Sequence, residues 1–174
     1  VTIYKKEWAP VTVPIYAVLE GLALGGISKL YAEMFEPGIV PQAISLTLGI
    51  LIALLFAYKT KIIKVTENFK LGVFAATMGL LIVYLISYFM SVFGGTGLPI
   101  MNPANASVLS IGFSIFVIVI ASLNLVMDFD FIEKGVENGA PKYMEWYSAF
   151  GLLVTLIWLY VEILRLLAKL SSRD

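Results

Sequence analysis

Five apolar runs, each long enough for a membrane span, fill most of a 174-residue chain and leave only short connections between them. A hydrocarbon layer about 30 Å thick is crossed by roughly 20 residues of helix, because lipid offers no partner to an unpaired backbone N–H or C=O. The runs cover about 10–31 ("PVTVPIYAVLEGLALGGISKLY"), 41–58, 71–93, 107–127 and 143–169. They predict an all-α fold, a polytopic transmembrane bundle of five spans forming a single domain over 1–174. Pro14 is compatible with the first helix only near its first turn. The last run is long for one crossing. Its start, "KYMEWY", places Tyr143, Trp146 and Tyr147 where an aromatic belt sits at the membrane interface.

Composition narrows the chemistry. The chain is 60% hydrophobic and 14% charged, against about a quarter charged in soluble domains. Lipid is therefore the expected partner, and a formal charge of zero gives no field for nucleic acid. With no Cys and no His, disulfides, thiolate catalysis and the usual zinc sites are excluded. Intramembrane proteolysis finds neither a histidine base nor two aspartates within helices, since Asp128 has only Asp130 nearby. We therefore expect no enzyme, no cofactor and no metal site of high affinity. The chain begins at Val1 with a polar connection, "VTIYKKEWAP", from which a missing upstream portion is expected.

Charge placement gives an orientation. If the spans alternate, Lys5, Lys6, Lys59, Lys61, Lys64, Lys70, Lys134 and Lys142 share one side, whereas Lys29, Lys169 and Arg173 fall on the other. Eight against three makes the N-terminal side cytoplasmic by the positive-inside rule. Five alternating spans put the C-terminus outside; a re-entrant last helix would bring it back. In the first span, Ala17, Gly21, Gly25 and Ser28 form a small-residue stripe on which another helix can pack closely, so Gly21 and Gly25 are candidate packing positions.

An ionisable group at membrane depth is costly and marks a candidate site. Glu20 lies mid-span beside Gly21. Asp128 ends the fourth run, and Glu162 and Arg165 stand three apart in "WLYVEILRLLAKL", spaced to pair on one face. One reading is a local ion pair with Arg165 reaching the headgroups. In the other, Glu162 joins a second carboxylate, and two carboxylates brought together in low dielectric share a proton. Asp130, Glu133 and Glu137 read as a solvated acidic loop. "FGGTGLP" lacks the Lys-Ser/Thr of a phosphate loop and reads as a tight turn. Asn105 begins a glycosylation acceptor and equally suits a helix cap. Tyr84, Ser87, Tyr88, Ser122 and Asn124 suit interhelical hydrogen bonds.

Taken together, "EWAPVTVPIYAVLEGLALGGISK", "SLNLVMDFDFIEKG" and "APKYMEWYSAFGLLVTLIWLYVEILRLLAKL" resemble the Bax inhibitor motif family in its bacterial branch, over essentially the whole chain. The resemblance implies seven helices with the last at the centre, so that this chain supplies helices three to seven and lacks the first two. It further implies a pH-sensitive calcium leak channel of the bacterial inner membrane, gated by a di-acidic pair. Asp128 matches the first acid, with Asp130 as the register alternative. Glu162 matches the second, one methylene longer than the aspartate of the family's channels. Glu20 resembles an acidic or polar position of the third helix. Arg165 matches no family role, and its charge beside Glu162 opposes a proton-sharing latch.

Two expectations follow. In the first, Ca²⁺ leaks through a route that closes when the Asp128–Glu162 pair is protonated, with Glu20, Asp130 and Arg165 as further pore or pairing residues. In the second, a non-conducting scaffold regulates a membrane protease or a stress and cell-death response through contacts at Gly21 and Gly25.

Overall fold

The computed structural model describes all 174 residues, Val1–Asp174. Five helices follow one another: α1 (Ala9–Met34), α2 (Ile39–Lys59), α3 (Glu67–Gly94), α4 (Val108–Glu137) and α5 (Tyr143–Ser171). Short 3-10 turns at Lys6–Trp8 and Pro99–Met101 precede α1 and α4. All five helices are long and apolar enough to cross a membrane.

Helix ends follow local chemistry. Thr66 and Ser107 cap α3 and α4, their hydroxyls accepting from the backbone N–H of Phe69 at 3.1 Å and Ser110 at 3.3 Å. Gly95 stops α3 at φ 74°, a left-handed turn that glycine adopts without a Cβ clash. Asn105 is not a cap. Its side chain instead ties the loop, donating to the Pro99 carbonyl at 2.8 Å and accepting from the Ser107 N–H at 3.0 Å.

Helix α4 runs ten residues beyond its expected end, so that Asp130, Glu133 and Glu137 lie on helix and not in a loop, with Glu133 and Glu137 exposed as expected. The reason is pairing. Asp130 accepts from Lys134 one turn on, at 2.7 Å, and sits 3.4 Å from Lys70 of α3. Glu133 accepts the Tyr58 phenol of α2. These bonds gather the end of α2 and the start of α3 around the end of α4. Lys6 lies over the Tyr147 ring of α5, which brings the N-terminus to the same end. This is the lysine-rich end.

Helix α5 is the hub, packed against α4, α1 and α2, while α3 leans on α4. Its buried Leu159, Tyr160, Ile163, Leu164 and Ala168 interlock with Ala121, Leu125 and Phe129 of α4 and with Ile39 and Ala43 of α2. Tyr160 also shares a 2.7 Å hydrogen bond with Ser28 of α1. The helix is continuous, and its last turn meets the α3–α4 loop through a bond from Lys169 to the Ile100 carbonyl. The C-terminus therefore lies at the end opposite the lysine-rich one, and α5 is not re-entrant.

Candidate functional site: a buried carboxylate and its vestibule

Glu162, Arg165 and Lys169 fall at i, i+3 and i+7 of α5, one face of a 3.6-residue helix. Glu162 is 2% exposed, and its Oε1 accepts from the Tyr84 hydroxyl and from Arg165 Nη1, each at 2.7 Å. The spacing alone accounts for the Arg165 contact. Tyr84 comes from α3, so its bond fastens that helix to α5. Two polar atoms of the cluster, Glu162 Oε2 and Arg165 Nε, are buried with no partner. An unsatisfied carboxylate oxygen in such a place is costly, and this one is left with acceptor capacity unused.

Tyr84 also forms the inner wall of an open cavity of about 700 Å³ at the end opposite the lysine-rich one. Ser87, Tyr88, Ser91, Thr96 and Asn102 add hydroxyl and amide groups to its walls. Ser87 shapes the cavity, because its hydroxyl accepts the Leu98 N–H at 3.0 Å and holds the loop over the end of α3. Gly97 is required beside it: an added Cβ would stand 2.9 Å from that hydroxyl. A polar vestibule thus ends at Tyr84, one hydrogen bond from the buried Glu162.

Asp128 lies elsewhere. Its Oδ1 faces the backbone at Gly151, where an added Cβ would be 3.6 Å away, and its Oδ2 is buried without a partner. Glu162 is eleven residues further along α5, on the order of 16 Å at 1.5 Å per residue. The two acids therefore do not meet in this conformation, contrary to the expected di-acidic pair. Antiparallel packing is the cause, since a turn centred near residue 140 brings position 128 of α4 opposite the first half of α5. The register alternative, Asp130, is occupied by Lys134 and Lys70.

The remaining expected site residues stand apart. Glu20 is half-buried and makes no hydrogen bond or ion pair. Gly21 and Gly25 are exposed, and an added Cβ at either would meet nothing within 4 Å, so no helix of this chain packs on them. Of the polar span residues, Tyr84 and Asn124 do bond across helices; Asn124 donates to Thr77 of α3 at 2.7 Å. Ser122 bonds back to Ile118 of its own helix. The chain gathers no group of three or more carboxylates that could hold a metal.

A buried acid on a central last helix, reached by a tyrosine from another span, sits in a sequence whose similarity extends over nearly its full length: the model of the Bax inhibitor 1 like family matches residues 1–172. The chain belongs to that family. No curated protein and no solved structure matches it. As a Bax inhibitor 1 like protein with five apolar helices, it is a membrane protein. Sequence reasoning named Glu162 and Arg165 but missed Tyr84 as the donor to Glu162, and it took Lys169 for an orienting charge without seeing its burial. For Tyr84 the signal was a phenol amid apolar residues, with nothing in α3 to say which helix it faced.

Proposed function

We propose that this Bax inhibitor 1 like chain lets cations leak across the membrane between α3, α4 and α5, with Glu162 as the charged station on the route. The observation that supports this most is the free, buried Oε2 of Glu162 behind a polar vestibule. Arg165 and Tyr84 fix one oxygen of the carboxylate and leave the other to meet a passing ion. A single carboxylate oxygen binds Ca²⁺ weakly, since tight sites supply six to eight oxygens, and weak binding suits conduction. The lysine-rich end faces the cytoplasm of a bacterial inner membrane, in keeping with the eight-to-three bias. Asp128 and Glu162, standing apart, then act as separate groups and not as one latch.

Purified protein in liposomes loaded with a calcium dye tests this. Wild type is expected to pass Ca²⁺ above protein-free vesicles, and Glu162→Gln to pass it at least tenfold more slowly, a loss of about 1.4 kcal/mol at the rate-limiting barrier. Wild-type flux equal to that of empty vesicles would overturn the proposal.

The second reading, a scaffold for a membrane protease or stress response, is favoured by the open Gly21–Gly25 face of α1. It predicts no flux, and loss of partner contact when Gly21 and Gly25 are both replaced with Leu.

A further inference from the structure

Lys169 is fully buried, at 0% exposure, yet no carboxylate pairs with it. Its ammonium donates instead to three uncharged oxygens: the Ile100 carbonyl at 2.7 Å, the Ser114 hydroxyl at 2.8 Å and the Ser110 carbonyl at 3.1 Å. An ammonium has three N–H donors, and all three are used. The oxygens come from the α3–α4 loop and from the first two turns of α4, and Ser110 and Ser114 are themselves 0% and 1% exposed.

A loop tie alone does not explain a buried charge here. Neutral bonds already fasten this loop: Leu98 N–H to the Ser87 hydroxyl, the Asn105 amide to the Pro99 carbonyl, and the Ser110 hydroxyl to the Ile100 carbonyl. A cation without a counter-ion is among the costliest groups to bury. It persists only where the surroundings solvate it as water would, and carbonyl and hydroxyl oxygens converging on one point do that in ion-selective filters.

We infer that the Ile100 carbonyl, the Ser110 carbonyl and the Ser114 hydroxyl form a binding station for a large monovalent cation, which Lys169 fills with its own tethered ammonium. The oxygen set selects the class. Three neutral oxygens with no carboxylate fall well short of the six to eight oxygens, carboxylates among them, that hold Ca²⁺. Ammonium and potassium, which carbonyl and hydroxyl oxygens solvate, suit that set. Pro99 and Met101, on either side of Ile100, line the vestibule, which therefore lies next to the station. The station does not depend on conduction, and its test requires no flux.

Lys169→Met keeps the aliphatic stem and removes only the ammonium. Its thermal unfolding, measured on the full chain in detergent, is compared in ammonium, potassium and choline chloride at equal ionic strength. In choline the variant is expected to melt below wild type. Ammonium or potassium is expected to raise its Tm in a saturable way by roughly 3–8 °C. Wild type is expected to show no such preference, and Lys169→Met/Ser114→Ala to lose it. A Lys169→Met protein with the same Tm in all three salts overturns the inference. Should Lys169→Met not fold in choline, Lys169→Ala probed with methylammonium decides, and recovery by methylammonium no better than by choline likewise overturns it.

Discussion

Arg165→Met is expected to destabilise the protein by about 3–5 kcal/mol, because it strips a buried carboxylate of its only cationic partner. Glu162 is held by two bonds, and the one that remains, from the neutral Tyr84 hydroxyl, cannot balance a full charge. The double variant Glu162→Gln/Arg165→Met removes both charges at once. It is expected to lose less than Arg165→Met alone, since a buried pair replaced as a unit leaves no orphaned charge. Reversible unfolding in mixed micelles measures all three proteins. A double variant weaker than the single would mean that the pair itself, and not the avoidance of an unpaired charge, stabilises the bundle.

The second large effect is one of packing. Leu125→Ala is expected to cost about 2–5 kcal/mol, since Leu125 is wholly enclosed where α4 meets α5 and its removal leaves a cavity. In lipid the loss is of contacts rather than of shelter from water, because the tails are as apolar as the side chain. Leu109→Ala is the control. Leu109 lies on the same helix but is 75% exposed, and the change is expected to stay within about 0.5 kcal/mol. Equal losses at the two positions would contradict the central place given to the α4–α5 contact.

The five helices were legible because membrane spans announce themselves by length and apolarity, which need no knowledge of neighbours. The extra turns of α4 were hidden by "DFDFIEKGVE", whose charges read as a loop. The signal against that reading was the Asp130–Lys134 spacing of four, which pairs on a helix. Glu162 and Arg165 were legible as a pair for the same local reason.

Everything that crosses between helices was harder. Asp128 and Glu162 were matched through the family resemblance, whereas the antiparallel register about the α4–α5 turn sets them about three turns apart. Tyr84 gave its residue type but not its facing. Lys169 was counted as an orienting charge at the end of the last span, and it is buried there, enclosed by the loop from Ile100. Burial at a helix end depends on what a distant loop covers, and no periodicity within the helix records that.

The most direct measurement is a double-mutant cycle on flux: wild type, Asp128→Asn, Glu162→Gln and the double variant in dye-loaded liposomes across a range of pH. Groups separated by more than about 7–10 Å act independently within roughly 0.5 kcal/mol. The double variant is therefore predicted to pass Ca²⁺ at the product of the two single losses. Each single variant is predicted to keep the part of the pH response that belongs to the other acid. A double variant no slower than either single one, with the pH response already gone in each, would make the two acids a single proton-sharing gate and contradict the separation seen here.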